Sequence, residues 1–279
     1  MGLPVKLVVS LSIVGILLAG CAVLQPPNAR ARALLAAKHF EMLSPAGYTL
    51  AAVAHHGSDV QWLTVFTEGD GASWPQPSVH PRDPTPGRPL GLYLALAHFE
   101  QAASSAEAVA YLGRPCQYLD EETLRTCPPS WWTLGRFGTA PLGLMNARLD
   151  ELKTLAPNAK LRLVGYSGGG AMAALLASRR NDVACLVTVA APLDTDAWTR
   201  AKNVSPLSQS SNPLDAAAAL RGLPMSHFSG SRDDVVPPGV NQQFMQEAQT
   251  LEVVMPGFDH DALWLKAWPS LAAASCLTN

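Results

Sequence analysis

The residues with the clearest chemical content are Gly165-Tyr166-Ser167-Gly168-Gly169, a G-x-S-x-G pattern. A serine hydroxyl is a poor nucleophile until a neighbouring base takes its proton, and a histidine base in turn needs a carboxylate to orient it. The chemistry on offer is attack of Ser167 on a carbonyl carbon. The local setting fits that use. Leu161 to Val164 is a short apolar-rich run that reads as a strand, and Ala171 to Arg180 carries Ala and Leu at helical spacing. A serine between such a strand and helix stands on a sharp turn, where flanking side chains would collide with both elements, hence the glycines. The helix N-terminus adds free N–H groups and a positive dipole end, which favour a developing oxyanion.

The elements that must position Ser167 alternate along the chain. Phe40 to Leu43 and Tyr48 to His55 read as first strands, separated by the turn Ser44-Pro45-Ala46-Gly47. Gln61 to Thr67 is a third strand running into Glu68-Gly69-Asp70-Gly71. Trp74 to Leu90 holds six prolines and is a stiff loop at the rim of the site. Helices are expected at Leu92–Ser104, Pro141–Leu155, Val240–Gln249 and Ala262–Ala274. Further strands are expected at Ala108–Leu112, Val183–Ala190, Met225–Phe228 and Leu251–Met255. Trp131-Trp132 and Arg136 precede the second of these helices. Pro192 to Leu223 has few periodic features and reads as a cap-like insertion. Strands alternating with helices over this length argue for one α/β domain with a parallel sheet.

Two downstream motifs give this pattern a resemblance. Gly230-Ser231-Arg232-Asp233-Asp234-Val235-Val236-Pro237 closes one strand, and Gly257-Phe258-Asp259-His260 follows the last. With Ser167 upstream, the chain from about Tyr48 to Ala274 resembles the α/β-hydrolase superfamily, whose triad runs Ser, acid, His in chain order. It is similar in particular to a group of bacterial α/β-hydrolases that share the E-G-D-G turn (Glu68 to Gly71), the G-Y-S-G-G-G elbow (Gly165 to Gly170) and an S-P-L-S segment (Ser205 to Ser208). The resemblance implies the α/β-hydrolase fold, a mostly parallel central sheet with helices on both faces. It puts the acid at Asp233, with Asp194 a second plausible acid, and the base at His260. It also implies oxyanion N–H groups on Gly168 and Asp70. Many members carry His-Gly where this chain has Glu68-Gly69. An acidic side chain beside an oxyanion hole must be turned away or paired, and Arg136 or Arg232 could pair it. His55 and His56 precede the serine, in the wrong order. His227 lies within a strand and reads as a core or edge residue.

Composition sets the remaining bounds. The chain has 279 residues, 48% of them hydrophobic, and a net charge of −2, enough for one large core and without the electrostatic footprint of a nucleic-acid binder. Leu7 to Leu18 is an apolar run too short for a comfortable membrane span, and it ends in Leu18-Ala19-Gly20-Cys21, which resembles a bacterial lipobox. The expectation is a signal peptide over residues 1–20, a lipid anchor on Cys21, a tether over 21–35 and the hydrolase domain over 36–279, cap included. The lipobox implies the bacterial cell envelope, and the absence of an acidic residue at Ala22 and Val23 favours the outer membrane, facing the periplasm. Export permits disulfides. Cys116 and Cys127 bracket a short polar loop and are expected to bond, a closure worth about 2.5 kcal/mol. Cys185 and Cys276 either pair or remain two thiols. No metal cluster, phosphate loop or dinucleotide fingerprint is present in the sequence, so no cofactor is expected. The leading reading is a serine hydrolase acting on a small-molecule or lipid ester. A non-catalytic envelope scaffold on the same fold and an acyltransferase with the same triad compete with it.

Overall fold

The computed structural model describes residues 26–43, 48–72, 79–102 and 106–278. Cys21, the segment before it and the turn at Ser44–Gly47 lie outside the described residues, as does part of the proline-rich stretch. The chain runs α1 (Pro27–Ala37), β1 (Glu41–Met42), β2 (Ala51–His55), β3 (Trp62–Thr67), α2 (Leu90–Gln101), β4 (Glu107–Leu112), α3 (Glu121–Leu124), α4 (Thr139–Leu155), β5 (Lys160–Tyr166), α5 (Gly168–Ala177) and β6 (Val183–Val189). It continues with α6 (Thr195–Lys202), α7 (Pro213–Ala216), β7 (Met225–Gly230), α8 (Gln242–Ala248), β8 (Glu252–Met255) and α9 (Trp264–Ala273).

The strands form one sheet in the order β1-β2-β4-β3-β5-β6-β7-β8. The pairs from β4 to β8 are parallel, and β1 and β2 run antiparallel at one edge. The central strands are apolar on both sides because both faces are covered. Leu63 and Val65 of β3 and Leu161 and Leu163 of β5 enter one core, with Met145 and Leu149 of α4, the whole Ala171–Ala177 run of α5 and Phe244 of α8. The alternate residues Phe66, Val164 and Tyr166 enter the other, against Leu92 and Leu94 of α2 and Trp264 and Trp268 of α9. This is the two-residue period of a strand read out as two cores.

Crossover geometry then fixes where a site can form. The chain leaves β3 through α2 on one face to reach β4, then returns through α4 on the other face to β5, on the far side of β3. Such a reversal opens a crevice at the carboxyl ends of β3 and β5. Glu68–Gly71 follows β3 and Ser167 follows β5, so both face that crevice.

Boundaries shift for local reasons. α5 begins at Gly168 rather than Ala171, with three glycines in its first turn. α2 begins at Leu90, directly after Pro89, whose ring suits the entry to a helix but not its interior. Of the 192–223 segment, Leu193, Leu207, Ala217 and Leu220 are buried in the core beside α5. Cys116 bonds Cys127, and Cys185 in β6 bonds Cys276 after α9. The second bridge settles the alternative left open above in favour of pairing.

Candidate active site

Ser167 sits at φ 51°, ψ −127°, in the left-handed half of backbone space that a residue with a Cβ rarely occupies. Its amide donates to Val189 O at 2.8 Å, and its carbonyl accepts from Gly170 N at 2.8 Å, so the turn is held on both sides. Gly165 is obligatory there. A Cβ at Gly165 would lie 2.3 Å from Gly169 O and 2.4 Å from Gly170 Cα. Ser167 is thus thrust out at the end of β5 while the helix starts directly behind it.

His260 lies on the loop between β8 and α9. Its Nε2 is 3.0 Å from Ser167 Oγ, and its Nδ1 is 2.9 Å from Asp233 Oδ2. The other oxygen of Asp233 accepts the amides of Val235 and Val236 at 2.9 and 2.8 Å. Its side chain is fully buried and fixed from both ends. Asp194 is elsewhere employed: it caps α6, accepting from the amides of Asp196 and Ala197 and from Asn212 Nδ2. Asp234 is exposed. The structure therefore brings Ser167, His260 and Asp233 into one hydrogen-bonded chain and leaves Asp194 out of it. His227 is buried in β7 with Nδ1 2.8 Å from Thr188 Oγ1, and burial pushes its pKa down to about 4.

The loop after β3 departs from one detail anticipated from the sequence. Glu68 is fully buried and turned away from Ser167, and its partners are not arginines. Its Oε1 accepts the amides of Gly69 and Gly91, both at 3.0 Å, and its Oε2 accepts Leu92 N at 3.1 Å and Tyr111 Oη at 2.9 Å. Gly91 and Leu92 are in the first turn of α2, whose free amides suit a carboxylate. Burial raises the Glu68 pKa, and the amides of Gly69 and Gly91 only partly offset it. Arg136 pairs with Asp70 instead, at 2.6 Å, beside Arg114 at 2.9 Å. Burial alone would raise the Asp70 carboxyl, but Arg136 and Arg114 outweigh it and hold the group below its ordinary range. Gly168 packs directly against that carboxylate: a Cβ there would meet Asp70 Oδ1 at 2.0 Å. The two residues anticipated to supply oxyanion amides are therefore in contact with one another.

Asp70, Ser167 and His260 line a cleft of about 320 Å³, walled by Pro86, Pro192, Trp198, Val235 and Val236, with Arg88 and Asp261 also facing it. Trp198 reaches it from α6, and its indole N–H donates to Val235 O at 2.7 Å.

With this geometry in place, solved structures give the comparison. The chain is similar to a proline iminopeptidase from Mycobacterium smegmatis, at TM-score 0.58 and 12% identity, over 84% of this chain and 96% of that one. It is similar to an alpha-beta serine hydrolase homologue from Coxiella burnetii, at 0.53 and 15%, over 85% and 94%. It is also similar to XC6422 from Xanthomonas campestris, described as an a/b serine hydrolase without lid, at 0.51 and 16%, over 84% of this chain and 92% of that one. The chain has the α/β-hydrolase fold. No family model and no curated protein matches the sequence.

Within the α/β-hydrolase fold of this chain, two residues near the site carry roles that the sequence reading missed. Tyr166 donates its hydroxyl to Asp261 Oδ1 at 2.5 Å and to His260 O at 3.2 Å, and Trp264 Nε1 donates to His260 O at 2.9 Å. Together they fix the backbone that presents the imidazole. Burial raises the Tyr166 hydroxyl pKa, with the Asp261 hydrogen bond adding to it. The sequence signal for Tyr166 was its place inside the serine motif. Trp264 had none, since an aromatic residue opening an apolar helix reads as core packing.

Proposed function

We infer that this chain is a serine hydrolase that cleaves carboxylic esters of small molecules or lipids through an acyl-enzyme, held in the bacterial cell envelope by a lipid on Cys21. The observation that carries the catalytic part is the hydrogen-bonded chain from Ser167 Oγ through His260 to Asp233, at 3.0 and 2.9 Å. The shared fold with proteins named as serine hydrolases supports the reaction class.

Ser167 Oγ forms a bond to the ester carbonyl carbon as its proton passes to His260 Nε2, and the carbonyl π pair moves onto oxygen. Asp233 holds Nδ1–H and stabilises the imidazolium. The amides of Asp70 and Gly168 receive the oxyanion, Gly168 through the free N–H of a first helical turn. Collapse of the tetrahedral species breaks the bond to the leaving oxygen, which takes the proton from His260. Water then enters, gives a proton to His260 and its oxygen to the acyl carbon. Ser167 recovers its proton as the acid departs. Esters ask less of His260 than amides do, because an alkoxide leaves with less help than an amine, which must be protonated before it can depart.

The test is covalent labelling of the soluble form lacking residues 1–21 by a fluorophosphonate probe, with Ser167→Ala as the control. Labelling abolished by that change is expected, together with turnover of short-chain p-nitrophenyl esters. A folded wild-type chain that neither labels nor turns over would refute the reading and favour a binding role on this fold. Incorporation of radiolabelled palmitate into the full chain, lost in Cys21→Ala, tests the anchor.

A further inference from the structure

Two buried guanidiniums on one carboxylate are more than charge neutralisation requires. Arg114 and Arg136 each have side chains only 4% exposed, and desolvating such groups is expensive unless their geometry is used. Their side-chain contacts tie the loop after β3 to the 133–136 segment. Arg114 Nη1 and Arg136 Nη1 hold the two oxygens of Asp70, Arg114 Nη2 donates to Arg136 O at 2.7 Å, and Arg136 Nε donates to Thr133 O at 2.7 Å. Gln117 Nε2 donates to Gly69 O at 2.8 Å, and Gln117 Oε1 accepts Arg114 N at 3.0 Å. Gly69 is in turn packed on the serine turn, its Cα side facing Tyr166 and Ser167. From the other side, Glu68 anchors Gly69 N to the first turn of α2.

We propose that Arg114, Gln117 and Arg136 are positioning residues that clamp Gly69-Asp70 so that the Asp70 amide is aimed at the oxyanion formed at Ser167. The clamp touches no substrate and acts through the backbone of Asp70. It is preorganisation in the sense that matters for catalysis, since an N–H already aimed at the developing charge needs no rearrangement when the charge appears. Gln117 lies inside the loop closed by the Cys116–Cys127 bridge, and Arg114 stands two residues before that loop begins. The proposal rests on the acyl-transfer reading above.

The test compares wild type with Arg136→Met, which leaves Asp70 neutralised by Arg114, and with Arg136→Lys, which restores a charged donor. Removing a whole oxyanion donor lowers kcat by about 10² to 10³. Misaiming one is expected to lower it by at least about tenfold in Arg136→Met on the same scale, with KM changed by less than about twofold. Affinity for a trifluoromethyl ketone, which forms a hemiketal oxyanion on Ser167, should fall in parallel with kcat/KM. Affinity for the corresponding non-fluorinated ketone should not, and Arg136→Lys should recover part of the loss. Unchanged kcat in folded Arg136→Met, or a lower kcat with unaltered fluoroketone affinity, overturns the proposal. Should Arg136→Met not fold, Gln117→Met, which removes the contacts to Gly69 O and Arg114 N but leaves both arginines on Asp70, carries the same comparison. A wild type that binds no fluoroketone and takes no fluorophosphonate defeats the acyl-transfer reading itself, and this inference with it.

Discussion

The two acids anticipated from the sequence can be separated by one pair of substitutions. In Asp233→Asn the amide oxygen can keep the Val235 and Val236 amides, which turns the NH2 toward His260 Nδ1. A donor there forces His260 to present a lone pair at Nδ1 and carry its proton on Nε2, so it can no longer accept the proton of Ser167. Holding the wrong tautomer in intact geometry costs about 10⁴ in kcat for a triad of this kind. Asp194→Ala has a different signature. It removes the N-cap of α6 and strands the buried amide of Asn212. Losing a cap costs about 1 kcal/mol and an unsatisfied buried donor about 1–3 more, or roughly 2–4 kcal/mol together. For a domain of this size that is a Tm lower by roughly 4–16 °C. Turnover of p-nitrophenyl acetate below the Tm should stay within about twofold, because no atom of Asp194 reaches His260. Initial rates with calorimetry on both variants decide it. A folded Asp194→Ala without turnover, beside an Asp233→Asn within tenfold of wild type, would refute the assignment of the acid.

Two further outcomes concern stability. His227 is neutral in the fold with a pKa near 4 against about 6.5 in the unfolded chain. Its contribution is therefore complete above pH 6.5 and is lost as pH falls toward 4, by about 3 kcal/mol for a shift of this size. Urea unfolding of wild type and His227→Leu at pH 7 and pH 4 should show a shallower acid loss in the variant; equal losses would contradict this. The two disulfides should differ, because Cys185–Cys276 closes a span of 91 residues and Cys116–Cys127 one of 11. Loop-closure entropy predicts that replacing the first pair by alanine costs about 2 kcal/mol more than replacing the second. The reverse order in urea midpoints would show that strain or residual structure dominates.

What was legible in the sequence was whatever rests on local spacing. The serine turn needs its glycines within two residues, and the loops carrying Asp233 and His260 directly follow strands with a readable apolar period. The alternation of strands and helices likewise pointed to a parallel sheet. The clamp was not legible, because Arg114 and Arg136 meet Asp70 across 44 and 66 residues of chain and no periodicity links charges at such separations. From the sequence alone Arg136 reads as a partner for Glu68. The fold gives Glu68 the amides of α2 instead, and only the three-dimensional approach of Gly91 and Leu92 to Glu68 reveals this. Asp194 was ambiguous because a carboxylate after a strand suits a helix cap and a triad acid equally. The start of α5 was misplaced because glycine is a poor helix former, while the close approach of Gly165, Gly168 and Gly169 to their neighbours overrides that preference.

The Cys185–Cys276 bridge also dictates how the molecule bears a mechanical load. Tension applied to the two chain ends enters near the C-terminus, crosses the sulfur atoms and arrives at β6 in the middle of the sheet. Everything between the two cysteines, including β7, α8, β8 and α9, is shielded. About 330 Å of contour, from 91 residues at up to about 3.6 Å each, stays hidden until the bond is reduced. Asp233 and His260 ride inside that shielded loop and Ser167 outside it, so stretching separates the nucleophile from its base while acid and base remain in one covalent ring.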